Sequence, residues 1–518
     1  MRSRTTAGSR LVTAVLATLL AGACASAPPK APPPVEPAPV PMPVATVAAP
    51  APVAPSSPLR TGIVSVRVTG QDWNWRVPWE KQAPWTRTVT GLVVPGPRIL
   101  VASTAFGNHL LVEAQKLGSE ERTVARVELV DHEGPLALVA VDDPGFWEGL
   151  EPLPLADRAP QEGDVAILRW QRSGLLDAFP GTIRQARSGR HGQSQTSLLT
   201  LEIGATADGL GESEVVIAKG HVAGLLTGRV GDAYGALAAP VLTQFLEGAA
   251  RGDWRGFARA GIAWQDLTNP ALREWLGLGP GETGIRLTRV ARHGSAGGIL
   301  KPGDVVLEMD GKKLDPTGYY EHPVYGRMLF ALLFSDGRQP GETMPVRVLR
   351  GGERLDLQLP LRAMPPDQDR VPPYVYGRGP DYVVVGGLVF EELTRPYLGA
   401  WGDWARRAPP RLLVAIDRED EGDELKRIVL LSSVLPDAAN LGYQELKDLI
   451  VERVNGSEVG SLADLREAFA SPQGGFHVVE LLAGQAAARL VLDAQEAEAA
   501  AGRVREAYGV ARLDSEAN

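Results

Sequence analysis

One short segment of the chain has the residue types and spacing of a catalytic nucleophile. Gly211-Glu212-Ser213 has the G-x-S spacing of a nucleophile turn, and Glu202 and Asp208 are carboxylates close to it along the chain. A serine hydroxyl attacks a carbonyl group only when a base takes its proton and a third group orients that base. The chemistry open to this segment is therefore acyl transfer by Ser213, with a base supplied from elsewhere in the chain.

The histidines do not form a recognisable metal site. The chain has a single cysteine and no two histidines at the spacing of metal ligands, so we expect no metal ion and no other cofactor. A net charge of −9 and the lack of a sustained run of Lys or Arg exclude nucleic acid from the expected partners. The seven histidines stand singly, at His109, His132, His191, His221, His293, His322 and His477.

Three stretches resemble the surroundings of the catalytic residues in one protease family. They read ILVASTAF (residues 99–106), PLALV (135–139) and GLGESEVV (209–216). The family is that of the Deg/HtrA serine proteases, and within it the branch with one trypsin-like domain and two PDZ domains, which includes the plant Deg-type enzymes. The resemblance covers nearly everything after residue 60. It implies a degenerate triad, because the family's histidine, aspartate and serine fall on Thr104, Pro135 and Gly211.

Such a triad cannot perform the chemistry of the family. Thr104 takes up no proton at neutral pH, and Pro135 offers only its backbone carbonyl. In a well-studied protease, loss of the triad lowers turnover about a millionfold. Glu212 and Glu214 would also place negative charge beside an oxyanion pocket. The nucleophile position falls two residues before Ser213, which leaves two interpretations of this serine: a turn residue, or the nucleophile of a rearranged active site.

Length and composition predict several β-rich domains. At 518 residues the chain is too long for one core, and its 58 glycines and 42 prolines suit short strands joined by turns. Short β-type runs recur through residues 61–250, as expected for an all-β barrel or sandwich. The resemblance narrows this to a trypsin-like domain. The expected fold class is mainly β, with a chymotrypsin-like double β-barrel followed by two PDZ-like domains.

Tryptophans are unusually dense just before the first of the three stretches. Such a cluster is typical of a binding surface or of a plug that closes the end of a barrel, and we favour the plug. The four residues are Trp73, Trp75, Trp79 and Trp85.

The first PDZ-like segment covers residues 255–362. It contains GDVVLEMDG (303–311), which is close to a strand and turn typical of PDZ domains. A PDZ domain binds a C-terminal peptide as an added strand and receives its carboxylate on the backbone N–H groups of one loop. The resemblance therefore implies C-terminal peptides or polypeptide clients as partners. It assigns the peptide-binding loop to Arg259, Ala260, Gly261 and Ile262.

The second PDZ-like segment, residues 380–492, is more divergent. Its GLVF sequence (387–390) resembles a carboxylate-binding loop, although we expect this domain to serve assembly more than ligand capture. Residues 493–518 are expected to form a C-terminal tail.

The first 24 residues have the features of a lipoprotein signal peptide. A basic start and an apolar run too short to span a bilayer end at LAGAC, whose Cys24 is the only cysteine of the chain. We expect lipidation of Cys24, with ordinary secretion as the alternative. Residues 25–60 form a Pro/Ala-rich linker that suits an extended tether. The expected location is a bacterial cell envelope, at the outer membrane facing the periplasm.

The function expected from the sequence is that of a lipid-anchored pseudoprotease. It would bind polypeptide segments or C-termini through PDZ and assist envelope protein quality control as an adaptor or holdase. It would act as a homo-oligomer or in association with active Deg/HtrA relatives. The alternatives are an active serine endopeptidase that uses Ser213 and a purely structural oligomer.

Overall fold

The computed structural model describes residues 57–171, 173–192, 194–207, 209–417 and 426–516. The expected signal peptide, Cys24 and the linker up to residue 56 lie outside these residues. Within the described ranges, no helix has both the length and the hydropathy needed to cross a membrane.

The first strands of the chain form a closed barrel. Every second residue of the first strand fills its interior, since Val64, Val66 and Val68 are fully buried. The elements are α1 (Ser57–Arg60), β1 (Ile63–Gly70), β2 (Trp85–Val94), β3 (Arg98–Ala102), β4 (His109–Lys116), β5 (Thr123–Asp131) and β6 (Leu136–Ala140). The barrel closes in the order β1-β2-β3-β6-β5-β4.

A second barrel and a helix follow. Their elements are β7 (Gly163–Trp170), β8 (Leu176–Gly189), β9 (Leu198–Ala205), β10 (Glu212–Ala218), β11 (His221–Val230), β12 (Ala233–Ala238) and α2 (Ala239–Arg251). The strands close in the order β10-β11-β12-β9-β8-β7. Leu100 and Leu136 from the first barrel share one buried core with Ile167 and Val216 from the second. The barrels therefore pack on each other, which confirms the predicted double barrel.

The next sheet has strand β13 at one of its edges. Its strands pair in the order β13-β14-β15-β19-β20, so β13 has a neighbour on one side only among the described strands. Strand β16 pairs with β15, and β17 and β18 form a separate hairpin. The elements are β13 (Ile262–Asp266), α3 (Pro270–Trp275), β14 (Ile285–Val290), β15 (Val305–Met309), β16 (Lys312–Lys313), β17 (Tyr319–His322), β18 (Gly326–Leu329), β19 (Thr343–Arg350) and β20 (Glu353–Pro360).

The last sheet has seven strands: six pair in the order β21-β22-β23-β24-β26-β27, and β25 pairs with β24. Its strands are β21 (Tyr382–Val385), β22 (Leu388–Glu392), β23 (Val429–Val434), β24 (Leu449–Val454), β25 (Ser457–Glu458), β26 (Phe476–Leu481) and β27 (Arg489–Asp493). Its helices are α4 (Arg395–Gly399), α5 (Trp404–Arg407), α6 (Pro410–Asp417), α7 (Leu462–Phe469) and α8 (Ala494–Tyr508).

A tight hairpin takes the place of the loop expected at GLVF (387–390). Gly386 and Gly387 form its two-residue turn with φ of 55° and 83°, a conformation that glycine adopts readily. Strand β21 consequently pairs along β22, and the chain itself occupies the edge that a peptide would join. The structure therefore contradicts a carboxylate-binding loop in the second PDZ-like domain.

The segment expected as a C-terminal tail is packed onto the same sheet. Helix α8 buries Ala500 and Val504, because small and apolar residues at three- and four-residue spacing form a stripe on one side of it. Beyond the helix, Asp514 stands opposite a residue of β21 and pairs with Arg466 of α7 at 2.8 Å. As far as the structure describes it, the segment 493–518 belongs to the domain.

Two of the four clustered tryptophans contact the second PDZ-like domain, a third lies against the segment before it, and none of these three plugs a barrel. Trp75 packs against the buried cluster around its short helices, and Trp79 meets Tyr382 with 5.8 Å between ring centroids. Trp73 lies against the segment that joins the two sheets. Only Trp85 packs on the core of the first barrel. The loop between β1 and β2 is therefore a surface that the chain's own C-terminal domain covers.

Candidate functional site

Thr104 begins a short 3-10 turn, Thr104–Phe106, and faces the second barrel across the cleft. Its Oγ1 donates a hydrogen bond to Oε1 of Glu212 at 3.0 Å, and its N–H donates to Oε2 at 3.1 Å. The hydroxyl of Ser103 donates to the same Oε2 at 2.7 Å. Three donors of the first barrel thus hold the carboxylate at the start of β10. These bonds join the two barrels where the resemblance would place a catalytic base.

Ser213 is fully buried, and backbone groups take both of its hydrogen-bonding roles. Its Oγ donates to the carbonyl of Thr90 at 2.7 Å and accepts from the N–H of Ala102 at 3.0 Å. Its φ of 70° is unusual for a residue other than glycine. Within the described part of the chain, no serine hydroxyl is hydrogen-bonded to a histidine ring. Ser213 therefore has neither access to solvent nor a base beside it.

The backbone N–H of Gly211 is occupied by a side chain from the same turn. It donates to Oε1 of Glu214 at 2.9 Å, and Nε of Arg169 lies 3.8 Å from the same oxygen. Burial raises the pKa of Glu214, against the effect of the hydrogen bond from Gly211. An oxyanion pocket needs N–H groups that are free to face developing negative charge. Here a carboxylate oxygen already stands at that N–H.

Two carboxylates, those of Asp131 and Glu133, shortly precede Pro135, and both hold parts of the fold together. Asp131 accepts a bond from Nε1 of Trp254 at 2.8 Å, and burial raises its pKa. Glu133 accepts several bonds from the segment 194–196 of the second barrel, including one from a threonine hydroxyl at 2.8 Å. Within the described residues, neither carboxylate accepts a hydrogen bond from a histidine.

The segment between the two PDZ-type sheets lies against the loop that bears Thr104. The ring of Tyr376 lies 4.4 Å from that of His132 and leaves no room for a side chain at Gly107. Tyr374 stacks on Tyr376 at 5.1 Å and donates its hydroxyl to Glu133 at 3.2 Å. Burial lowers the pKa of His132 to about 4, so this ring is neutral at pH 7.

The predicted peptide-binding loop has a conformation that leaves donors unused. Gly261 has a φ of 70°, and a Cβ atom there would lie 2.9 Å from Cα of Gly294. The carbonyls of Arg259, Ala260 and Gly261 all accept backbone hydrogen bonds, at 2.9, 3.1 and 2.6 Å. In contrast, the N–H groups of Ala260 and Gly261 donate to no acceptor in the described structure. They are therefore available to an incoming carboxylate.

The side chain of Arg259 turns from this loop towards the segment that follows β20. Its Nη2 lies 3.0 Å from Oδ1 of Asp369 and 2.8 Å from the sulfur of Met364. Burial raises the pKa of Asp369, while the adjacent positive charge of Arg259 opposes that shift. Arg259 thus forms one wall of the site through its side chain.

A cavity of about 720 Å³ lies beside the loop and the open strand β13. Ile262 and Trp264 of β13 line it together with Phe330, which begins a 3-10 turn. The rings of Trp264 and Phe330 meet edge to face at 5.0 Å. Free N–H donors, an unpaired strand edge and an apolar wall are what a peptide needs to bind as an added strand.

The sequence names candidate residues for this loop, whose binding of a peptide stays a prediction, but it does not indicate the contacts that shape both sites. The tyrosines that pack against the first barrel near Gly107 come from a segment more than two hundred residues away, as in the bond from Tyr374 to Glu133 with a separation of 241 residues. No local motif marks them. Glu212 and Glu214 could be noticed in the sequence, because two acidic residues beside a nucleophile position would repel the oxyanion that forms there.

The barrels and the sheets after them define the class of this protein: a trypsin-like protease scaffold with PDZ domains. A profile described as PDZ domain matches residues 371–517, which include β21 to β27 and α8.

Relatives align with most of the chain. Do-like 3, a mitochondrial protein of Arabidopsis thaliana, is 27% identical over 400 residues, which cover 75% of this chain and 68% of the relative. Protease Do-like 2 from the chloroplast of the same plant is 25% identical over 414 residues, 78% of this chain and 67% of the relative. The solved HtrA-type protease AlgW with a decapeptide is 18% identical, covers 59% of this chain and 97% of its own, and has a TM-score of 0.45. The similarity to the plant Do-like proteases and the match to a PDZ domain support the Deg/HtrA protease family for this chain.

Proposed function

We propose that this chain is a non-catalytic Deg/HtrA protein that binds polypeptide C-termini in the cavity beside β13. The loss of catalysis is supported by one observation: the polar groups in the cleft between the barrels are already hydrogen-bonded to other groups of the protein. The hydroxyl of Thr104 is bonded to Glu212, the N–H of Gly211 to Glu214, and the hydroxyl of Ser213 is buried between backbone groups.

The chemical consequence follows from what hydrolysis of a peptide requires. A nucleophilic hydroxyl needs a base within about 2.6–3.2 Å, and the oxyanion needs donors that are not already engaged. The partners of Ser213 are a carbonyl and an amide of the first barrel, and neither can serve as a base. The carboxylate of Glu214 would repel an oxyanion at Gly211. The scaffold keeps its shape, but the reaction lacks its acid–base and electrostatic groups.

Peptide binding at the first PDZ-type sheet is supported because, unlike the cleft, this sheet has hydrogen-bonding groups without a partner in the described structure. The N–H groups of Ala260 and Gly261 have no acceptor in the described structure, and β13 has an open edge. A peptide added to β13 would satisfy its backbone groups there and place its terminal carboxylate on those two donors. A client held in this way is bound and not cut, as in an adaptor or a holdase.

Catalysis and binding are tested on the same preparation, the chain without residues 1–25. We expect no labelling by a fluorophosphonate and no degradation of casein, with an active Deg/HtrA protease as the positive control. We also expect a fluorescent decapeptide with a free C-terminal carboxylate to bind, and its C-terminal amide not to bind.

The results that would contradict this function are distinct for its two parts. Labelling that is lost in Ser213→Ala would establish the second candidate, a serine endopeptidase with a rearranged active site. Equal binding of the acid and the amide, or binding of neither, would remove the role of Ala260 and Gly261.

We also propose that Cys24 is lipidated and holds the protein at the outer membrane, facing the periplasm. There it would assist protein quality control as a homo-oligomer or with active relatives. The support is the sequence of residues 1–24. In a double-membraned bacterium, the full chain should incorporate labelled palmitate and fractionate with the outer membrane, and Cys24→Ala should do neither. Palmitate retained by the variant would rule out this anchor.

A further inference from the structure

The cavity beside β13 is strongly cationic, although the protein as a whole is acidic. The chain has a net charge of −9, whereas the described residues that line this cavity include six arginines and a single carboxylate, that of Asp369. The arginines are Arg190, Arg259, Arg289, Arg292, Arg370 and Arg395.

These arginines converge from separate parts of the fold. Arg190 directly follows β8 of the second barrel, Arg289 lies on β14, and Arg395 begins α4 of the last domain. No run of basic residues in the sequence marks them, so only the fold brings them together. A surface that gathers one sign of charge in a concave site attracts ligands of the opposite sign.

Some of the guanidinium groups have donors without an acceptor. Nε of Arg395 and Nη1 of Arg259 are buried and have no hydrogen-bond partner in the described structure. Burial lowers the pKa of Arg395, and although Asp369 opposes that shift, the nearby charges of Arg190 and Arg259 add to it. Buried donors without acceptors cost free energy, which an anionic ligand would recover through charge-assisted hydrogen bonds.

We propose that this cavity selects C-terminal peptides that carry Asp or Glu in the residues just before the last one. The terminal carboxylate would accept from the N–H groups of Ala260 and Gly261, the last side chain would pack near Ile262, and the acidic side chains would meet the arginines. The selectivity rests on the proposed peptide-binding function, and it adds the chemical class of the ligand.

The test compares three labelled decapeptides by fluorescence anisotropy with the full chain in mild detergent. All end in valine: one has three acidic residues before it, one has the corresponding amides, and one has the acidic sequence with a C-terminal amide. We expect the acidic peptide with a free terminus to bind about tenfold more tightly than the neutral one at about 0.05 M salt, and the difference to shrink at about 0.5 M salt.

Paired variants locate the preference. Arg190→Gln with Arg289→Gln removes two exposed charges of the cavity and should reduce the preference to about twofold or less, with little effect on the neutral peptide. Arg122→Gln with Arg505→Gln removes two exposed charges elsewhere and should leave the preference unchanged.

One further control tests whether an acidic segment of the chain itself competes with the acidic peptide for the cavity. Residues 418–425, which the structure does not describe, contain five carboxylates, and a variant with all five as amides is titrated beside the native chain.

Equal binding of the acidic and neutral peptides in both backgrounds would overturn the selectivity and leave peptide binding intact. Equal binding of the acidic peptide and its terminal amide would indicate a general anion site and overturn both the selectivity and the peptide-binding function. Binding of none of the three peptides would also overturn both.

Discussion

Glu212 and Glu214 are two residues apart on β10, yet their carboxylates reach different partners. The residue between them explains this, because Ser213 has a φ of 70° and the pairing of β10 with β11 shifts between Glu212 and Val215. A bulge of this kind re-aims the side chains on either side of it. One carboxylate consequently meets Thr104 and the other meets the N–H of Gly211. The strained serine thus arranges the residues that fill the cleft.

Ser213→Ala should weaken the fold and change no catalytic activity. The substitution leaves the buried N–H of Ala102 without its acceptor, and the alanine keeps the unfavourable φ. We expect the free energy of unfolding in urea to fall by about 1–3 kcal/mol. Ser457→Ala, on the exposed strand β25, is the matched control and should be neutral. Unchanged stability of Ser213→Ala would show that the hydroxyl does not support the barrel interface.

At the scale of elements, the two PDZ-type sheets differ in what lies along their first core strand. Strand β13 follows a loop and keeps an open edge, whereas β22 follows a two-residue turn and is paired with β21. Their loop sequences, RAGI (259–262) and GLVF (387–390), gave no reason to expect opposite outcomes. Whether the edge stays open depends on the residues before each loop. Before GLVF, the apolar strand β21 folds back and pairs with β22.

The fold class was predictable because strand runs, turns and family landmarks agree along the chain. That the loop at Ala260 and Gly261 binds a peptide stays a prediction, made from a short local pattern. The hydrogen bonds of Thr104 were not predictable, because Glu212 lies more than a hundred residues away in sequence, and neither was the packing of Tyr376 against Gly107. Convergence of Arg190 and Arg395 on one cavity likewise depends on how the domains pack, and periodicity within an element contains no information about that.

At the scale of the whole molecule, the loop between β1 and β2 fastens the first barrel to the last domain. Nη1 of Arg76 lies 2.5 Å from Oδ1 of Asp448 and donates to the hydroxyl of Tyr397 at 2.9 Å. The same guanidinium group lies 3.7 Å from the centroid of the Trp401 ring. Asp448 is only 5% exposed, so it depends on this cation more than a surface carboxylate would. The contact helps to hold in place the last domain and the segment before it, whose Tyr376 packs against Gly107.

Arg76→Ala should therefore loosen the last domain from the first barrel. Asp448 would keep its bond from Tyr397 but lose its positive partner, at a cost of about 1–3 kcal/mol to the docking of the domain. We expect hydrogen–deuterium exchange to increase about tenfold or more in the segment 374–380 and in β21, and to stay unchanged in the strands of the first barrel.

The control for this variant is Arg122→Ala, which removes an exposed arginine of the same barrel. It should leave exchange as in the native chain. If Arg76→Ala exchanged no faster in the segment 374–380, the tryptophans around Trp75 would suffice for docking and the ion pair would be dispensable. Faster exchange throughout the first barrel would instead assign Arg76 to the stability of that barrel. Selective loosening is the outcome that the geometry predicts, because the side-chain contacts of Arg76 lie on the last domain.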